Sequence, residues 1–251
     1  MIHLEDVHLH YSSLGFRDTS LKSYVFRLLQ GKKEKAQDVH ALKGVSFTIH
    51  SGERVGILGH NGAGKSTLLR TIAGLYPISS GVCRVEGEIR SLFELNLGFE
   101  VEATGRENIL YSGLLLGQKP ENMKALEEEI VSFADLGQFI DYPVKTYSAG
   151  MLVRLAFAIS TIITGDILLI DEVIGAGDAA FMQKASERIR GLISRAKILV
   201  LVSHDVLALK NFCQRLLLLD HGTLIFDGNV EDGLAKYEEI VLKSKIAIPN
   251  S

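Results

Sequence analysis

Residues 59–67 read GHNGAGKST and decide the fold, because a glycine-rich turn is followed at fixed spacing by a lysine and hydroxyl residues. The stretch fits the pattern G-x-x-x-x-G-K-[ST]. A short apolar run precedes it, and the amphipathic segment KSTLLRTIAGL follows it. This order predicts a strand, a phosphate-binding loop and a helix.

The chemistry of this loop predicts a mononucleotide site. Glycines let backbone N–H groups turn towards phosphate oxygens, and the start of the helix adds about half a positive charge. Lys65 is predicted to reach the β- and γ-phosphates, and the Ser66 hydroxyl to bind Mg²⁺. The predicted ATP-binding residues of the loop are Gly59, Asn61, Gly62, Gly64, Lys65, Ser66 and Thr67.

A second motif, ILLIDE at 167–172, supplies carboxylates. Four apolar residues indicate a buried parallel strand, and ligands bind at the carboxyl ends of such strands. Asp171 is predicted to bind the metal, and Glu172 to orient and deprotonate the attacking water. The sequence has no N-K-x-D motif for reading guanine, which favours ATP over GTP.

Composition indicates a soluble globular chain. Its 251 residues are 47 % hydrophobic and 23 % charged, and the formal net charge of −3 offers no basic field for nucleic acid, so no nucleic-acid partner is expected. Cys83 and Cys213 lie far apart and are predicted to be free thiols in a reducing compartment. The N-terminus lacks a signal-peptide core, and the longest uncharged apolar stretch, 155–165, is short of the roughly 20 residues that cross a bilayer.

Strand-like runs alternate with helical periodicity, which predicts an α/β fold with a largely parallel sheet. Residues 104–164 differ, because they read as successive amphipathic helices, the last with a single apolar stripe. A β-hairpin is predicted in LLLLDHGTLIFDG, around Asp-His-Gly. The predicted strands are 45–49, 54–58, 167–170, 198–202 and 216–219, and the predicted helices of the insert are 107–116, 121–136 and 148–163.

Further motifs carry a family resemblance. YSAGM at 147–151 resembles the signature sequence of ATP-binding cassette (ABC) ATPases, GAGD at 175–178 stands in the position of their D-loop, and Ser203-His204 in that of their switch histidine. The resemblance covers essentially the whole chain. It implies a P-loop NTPase core with a mostly parallel sheet, an antiparallel β subdomain and a helical subdomain.

The resemblance also implies boundaries and roles. A single nucleotide-binding domain is expected, with its core at about 1–93 and 165–251 and its helical subdomain at about 94–164. In this family two subunits form a head-to-tail homodimer, so Ser148, Ala149 and Gly150 are expected to contact the ATP bound to the opposite subunit. Ser148 is also a natural N-cap. Asp178 is the expected D-loop residue, and His204 is expected to contact the γ-phosphate.

Two positions depart from the family pattern. Glu94 stands where most members carry the Q-loop glutamine, and it is predicted to bind Mg²⁺ and to couple the site to the partner. Tyr11 fits the aromatic residue that stacks on adenine, with Phe16 and His40 as rivals.

The insertion between Tyr11 and Ala41, together with TGREN at 104–108 and the segment 139–151, resembles ATPase subunits that export O-antigen, capsule or teichoic acid. The resemblance implies ATP hydrolysis that powers a separate membrane-spanning permease, which handles the glycan. It places the chain peripherally at the cytoplasmic face of the bacterial inner membrane. No C-terminal carbohydrate-binding domain is expected, since the chain ends at Ser251.

The insertion has a local charge of +4 over residues 21–35 and an apolar helical stripe. It is interpreted either as a surface for anionic lipid or the permease, or as a short helix packed on the core. Two other functions are considered for the whole chain. A soluble ABC clamp acting on DNA or ribosomes usually has coiled-coil inserts or two cassettes, and a P-loop small-molecule kinase has no use for YSAGM.

Overall fold

The computed structural model describes residues 1–12, 38–93, 98–171 and 178–246. The strands are β1 Ile2–Ser12, β2 Asp38–Ile49, β3 Arg54–Leu58, β4 Ser80–Val85, β5 Ile89–Ser91, β6 Ile167–Asp171, β7 Ile198–Val202, β8 Arg215–Asp220 and β9 Thr223–Asn229. The α-helices are α1 Lys65–Ile72, α2 Gly105–Leu115, α3 Pro120–Ala134, α4 Ala149–Ile162, α5 Ala179–Arg195, α6 Val206–Phe212 and α7 Val230–Ile246. Short 3₁₀ helices cover Gly137–Asp141 and Val144–Thr146.

The strands form two sheets, and the α/β fold predicted from the sequence is confirmed. One sheet has the order β2-β1-β4 and is antiparallel. The other has the order β5-β6-β7-β3-β8-β9, in which the β5–β6 and β6–β7 pairs run parallel. Strands β3 and β7 have the predicted bounds, and β7 is buried along its whole length, as expected for a continuous apolar run in a parallel sheet.

The chain divides into two compact units. The first unit comprises Met1–Ile49, Ile57–Glu86 and Leu216–Ser251, and the second comprises His50–Gly56 and Gly87–Arg215. Across the described ranges, no helix has both the length and the apolar character that a membrane span needs. Cys83 and Cys213 are free thiols, as predicted, and burial raises the pKa of Cys213 to about 12.

The first unit contains the antiparallel sheet, whose strand β1 buries Ile2, Leu4, Val7 and Leu9. The alternation of buried residues breaks between Leu4 and Val7, where the pairing with β2 shifts register at a bulge. The predicted hairpin is present in the same unit, between β8 and β9. Its turn residues His221 and Gly222 both have positive φ, at 45° and 84°, as a two-residue hairpin turn requires.

The second unit contains the three predicted helices of the insert, now bounded as α2, α3 and α4. The predicted apolar stripe on the third helix includes Leu155, Ala156 and Ile159, which are buried, and the residues between them, Phe157 and Ala158, are buried as well. The reason is that α4 packs against α2, α3 and α5, so more than one side of it is covered.

The TGREN stretch builds the start of α2. Thr104 and Glu107 form a capping box: the Glu107 N–H donates to Thr104 Oγ1 at 3.2 Å, and the Thr104 N–H donates to Glu107 Oε2 at 2.8 Å. Asn108 is fully buried and holds the preceding loop, accepting from the Glu100 N–H at 2.7 Å and donating to the carbonyls of Glu100 and Thr104. Thr104, Glu107 and Asn108 therefore stabilise the start of α2 and the loop before it.

Candidate nucleotide site

The loop between β3 and α1 has a backbone that requires glycine. A Cβ on Gly59 would lie 2.2 Å from the Leu219 carbonyl oxygen, which leaves no room for a side chain. Gly64 is the N-cap of α1 with φ +103°, and a Cβ there would lie 2.9 Å from the Ala41 carbonyl oxygen. The loop is therefore fixed by close packing of backbone on backbone within the first unit.

Lys65 is buried at the base of this loop. Its Nζ donates to the carbonyl oxygens of Gly59 at 2.7 Å and His60 at 3.0 Å. Ser66 and Thr67 follow in the first turn of α1 and are half-buried, whereas Asn61 and Gly62 are exposed at the outer side of the loop. All seven loop residues predicted to bind ATP thus belong to one continuous loop and helix start.

Tyr11 lies against the helix that follows the loop. Its hydroxyl is 3.2 Å from Thr67 Oγ1, and its ring packs edge to face on that of Tyr76, with ring centroids 5.7 Å apart. Burial raises the pKa of the Tyr11 phenol. The rival His40 instead stacks on His10, with ring centroids 3.9 Å apart. The structure thus brings Tyr11 to the phosphate loop within the first unit, while its stacking on adenine stays a prediction.

The signature segment begins α4 in the second unit. Ser148 is its N-cap, as predicted, and its Oγ accepts from the Met151 N–H at 3.3 Å. Ser148 and Gly150 line a cavity of about 550 Å³ together with Asp178 and Arg154. The structure therefore brings the signature and the D-loop residue into one cavity.

Asp178 is held in this cavity by two interactions. It is the N-cap of α5 and accepts from the Phe181 N–H at 2.9 Å, and its other carboxylate oxygen pairs with Arg154. The backbone N–H first, and then the guanidinium, hold the pKa of the carboxyl below its usual range. Sequence reasoning missed Arg154, because its partner lies 24 residues away and only the packing of α4 on α5 joins them.

Asp171 and His204 lie at the same edge of the parallel strands of the second unit. Asp171 ends β6 and pairs in register with Val202, the last residue of β7. His204 follows two residues later and is exposed, while the adjacent Ser203 is buried and accepts from the Asp205 N–H at 3.0 Å. This arrangement is the one that the sequence predicts for two residues at neighbouring carboxyl ends.

Two helix starts among the described helices differ from the rest in charge. Helices α1 and α4 have no acidic side chain at the N-cap or in the first turn. Each of the others has at least one, and these residues are Glu107, Glu121, Asp178, Asp205, Glu231 and Asp232. Because a helix start attracts anions, the two starts without a carboxylate are those that can accept phosphate without repulsion.

Some predicted residues lie outside the described residues. They are Glu94, Glu172, Phe16, the insertion at 21–35 and the first three residues of GAGD. Their roles stay predictions from the sequence.

The sequence pattern of the ABC transporter family matches residues 42–175, more than half of the chain. The chain belongs to the ABC transporter family. It is 43 % identical over 232 residues to the O-antigen export system ATP-binding protein RfbE of Yersinia enterocolitica, an alignment that covers 90 % of this chain and 97 % of that protein. It is 40 % identical to the teichoic acids export ATP-binding protein TagH of Listeria monocytogenes, covering 85 % of this chain and 64 % of that protein.

The fold is that of solved ABC cassettes. The dimeric post-hydrolysis structure of the ATP-binding cassette MJ0796 bound to ADP and Pi has a TM-score of 0.67 and 22 % identity, covering 92 % of this chain and 99 % of the other. As a member of the ABC transporter family the chain binds ATP and is an ATPase. Family membership excludes the small-molecule kinase considered above.

Proposed function

We propose that this ABC ATPase powers export of a polysaccharide or a lipid-linked glycan of the O-antigen, capsule or teichoic acid type. The observation that carries the proposal is the similarity to an O-antigen export protein, which extends over 97 % of that protein's length. Similarity to a teichoic acids export protein supports the same substrate class from a second relative. Because both relatives are export proteins, we favour transport over the alternative of a soluble clamp that acts on DNA or ribosomes.

In this proposal, the phosphate loop of the first unit binds the triphosphate, and Glu172 and His204 of the second unit act on it. Lys65 and the backbone N–H groups of the loop bind the phosphates, and Tyr11 stacks on adenine. Glu172 orients the attacking water, and His204 contacts the γ-phosphate. The buried lysine and the uncapped start of α1 support this assignment, since both offer positive charge where phosphate would lie.

Magnesium fits the donors that the chain offers. Ser66 presents a hydroxyl in the first turn of α1, Asp171 ends a buried strand with its carboxylate, and Glu94 is the third proposed ligand. Oxygen donors of this kind are those that Mg²⁺ prefers. When bound, the ion would neutralise phosphate charge.

The active form in this proposal is a head-to-tail homodimer. Ser148, Ala149 and Gly150 of one subunit close over the ATP of the other, and Asp178 contributes the D-loop. The cavity shared by Ser148, Gly150 and Asp178 supports this, because it places an uncharged helix start and the D-loop carboxylate together. Solved cassettes of this fold include dimers.

The proposed partner is a membrane-spanning permease that handles the glycan, with this chain peripheral at the cytoplasmic face of the inner membrane. The proposed helical subdomain, at about 94–164, transmits the movement between ATPase and permease. The basic insertion at 21–35 is proposed to contact lipid or permease.

Replacing the proposed general base tests the ATPase mechanism. We expect Glu172→Gln to bind ATP but to hydrolyse it about 10²- to 10⁴-fold more slowly, because the water is no longer deprotonated. ATP-dependent dimers should then accumulate, which size-exclusion chromatography with multi-angle light scattering would detect. A variant with normal turnover would remove Glu172 from the mechanism and leave the family assignment intact.

Reconstitution tests the transport function. The permease encoded alongside this chain should co-purify with it, and proteoliposomes containing both should move a lipid-linked glycan when ATP is added. The Glu172→Gln complex is the matched control, since it assembles without turning over. ATP hydrolysis without movement of any candidate glycan would contradict the glycan proposal.

A further inference from the structure

Three metal-ligating side chains meet in the first unit, outside the residues assigned to ATP. His60 comes from the phosphate loop, Asp220 ends β8, and His221 belongs to the turn between β8 and β9. His60 Nε2 lies 3.0 Å from Asp220 Oδ1, and His221 Nε2 lies 3.8 Å from the same oxygen. Among the residues that the structure describes, this is the only group of three or more His, Cys, Asp or Glu side chains close enough to share an ion.

The hydrogen bond on the other ring nitrogen of His60 fixes its tautomer. Nδ1 lies 2.7 Å from the Asn61 carbonyl oxygen, which can only accept, so Nδ1 carries the hydrogen. In the neutral ring Nε2 is then a bare acceptor. It is shielded from solvent, has no hydrogen-bond partner, and faces the Asp220 carboxylate, a second acceptor. Two acceptors at this distance are both satisfied when a positive charge lies between them, either a metal ion or a proton on Nε2.

The third ligand makes a metal ion a better occupant than a proton. With metal–ligand bonds of about 2.0–2.1 Å, neighbouring ligand atoms of a tetrahedral zinc site lie roughly 3.3 Å apart. The two observed separations, 3.0 and 3.8 Å, lie on either side of that value. A backbone carbonyl that accepts from the second nitrogen of a histidine is also the usual support for a metal-binding imidazole.

We propose that His60, Asp220 and His221 bind a divalent transition-metal ion, with zinc as the expected occupant. Two imidazoles and one carboxylate suit zinc, cobalt, nickel or copper better than magnesium. The side chains of His60 and Asp220 are 39 % and 37 % exposed and that of His221 is 76 % exposed, so the ion exchanges with solvent and its fourth position is open to water. The site is distinct from the proposed magnesium ligands.

Such an ion would act on the phosphate loop. The hairpin turn already touches this loop, because the Gly222 N–H donates to the Ala63 carbonyl at 2.9 Å. An ion that joins His60 to the turn would immobilise the residue whose carbonyl accepts from Lys65. Zinc is therefore expected to change the affinity for ATP, and ATP to change the affinity for zinc by the same factor.

Calorimetric titration tests the site. The full chain is used without a histidine tag and without nucleotide, and zinc is added in the presence of millimolar Mg²⁺. We expect one ion per chain. In His221→Asn the affinity should fall at least about tenfold, because one of three protein ligands is lost. Asparagine tolerates the positive φ of 45° at this position, so the turn is preserved.

A second histidine group provides the matched control. His40 Nε2 lies 3.0 Å from His8 Nδ1, and the His40 ring stacks on that of His10. His40→Asn therefore removes an imidazole from another histidine cluster of the same unit. It should bind zinc as the wild type does. His60→Asn is a further test of the site, checked for folding by circular dichroism. Substitution with Co²⁺ should give the intense visible absorption of a tetrahedral site in the wild type and lose it in His221→Asn.

Each outcome decides between the metal and its rivals. Zinc affinity that is unchanged in both His221→Asn and His60→Asn, or lost in His40→Asn, would overturn the site. Absence of zinc binding by the wild type would also overturn the site. Binding at the site with no mutual effect of zinc and ATP would retain the site and overturn its action on the phosphate loop.

Discussion

The N-termini of helices α1 and α4 are alike in charge but differ in their capping. Neither has a carboxylate at its start, so both leave the positive end of the helix unneutralised. The start of α1 has no side-chain cap at all, because its N-cap is Gly64. The start of α4 is capped by Ser148, whose Oγ accepts a long hydrogen bond of 3.3 Å from the Met151 N–H. The start of α1 therefore has no side chain that accepts from its backbone N–H groups, whereas at the start of α4 the Ser148 side chain accepts from one of them.

The glycines of the two starts should respond most differently to substitution. Gly64→Ala puts a Cβ 2.9 Å from a carbonyl oxygen at φ +103°, and we expect it to lower the free energy of unfolding by about 3 kcal/mol. Gly150→Ala is the matched control, since the nearest atom among the described residues is Ser148 Oγ at 4.0 Å and alanine favours a helix by about 0.5–1 kcal/mol. Urea denaturation of both variants measures the contrast, and equal stabilities would contradict it.

A charge at the start of α4 separates binding from hydrolysis. We expect Gly150→Asp to keep its folding stability and its ATP binding, because an acid at a helix start is favourable and the phosphate loop is untouched. ATP hydrolysis should fall at least about tenfold, since in the proposed dimer the added charge repels the triphosphate held by the opposite subunit.

Gly150→Asn provides the neutral control of nearly the same shape. The ATPase rate and the binding of a fluorescent ATP analogue are measured for both variants. Equal hydrolysis by the aspartate and asparagine variants would mean that no phosphate approaches this helix start.

The cap of α4 should contribute less than that of α2. Ser148→Ala loses one long hydrogen bond and should cost about 0.5–1 kcal/mol in the free energy of unfolding. Thr104→Ala, at the capping box of α2, should cost more, because the Thr104 hydroxyl contacts both the backbone and the side chain of Glu107. Denaturation curves of the two variants rank the caps, and the reverse order would show that Ser148 is more than a weak cap.

Residues close in sequence made the two helix starts predictable. The glycines, lysine and hydroxyls of 59–67 lie within nine residues, and the Ser148 cap is two residues from Gly150. The buried strands β3 and β7 were equally clear, because β7 is an unbroken apolar run and β3 continues from Arg54 with the apolar run VGIL. Local chemistry determines such elements with little help from the rest of the chain.

Strand β1 and the long-range contacts could not be predicted in the same way. A bulge shifts the buried positions of β1 after Leu4, so that strict alternation fails. The partners Tyr11 and Thr67 are 56 residues apart, and His60 and Asp220 are 160 apart. Only the order of the strands brings such pairs together, and no local pattern encodes it.

Acid should weaken the start of α2 through Glu107, and this is the smallest effect we expect. The Thr104 backbone N–H and then its hydroxyl hold the pKa of Glu107 below its usual range. Because the pKa is lower in the folded state, the stabilisation is complete above the unfolded-state pKa and is lost as pH falls through the folded-state value. Wild type should therefore be more stable than Glu107→Gln at pH 7, and the gap should close in acid.

Urea denaturation of both proteins across this pH range measures the gap. In a Thr104→Ala background the gap at pH 7 should be smaller, because the hydroxyl that donates to Glu107 is gone. A gap that stays constant into acid would assign the effect of Glu107→Gln to something other than its charge. The start of α2 could then no longer be used as the example of a helix start stabilised by a carboxylate, with which the starts of α1 and α4 are compared.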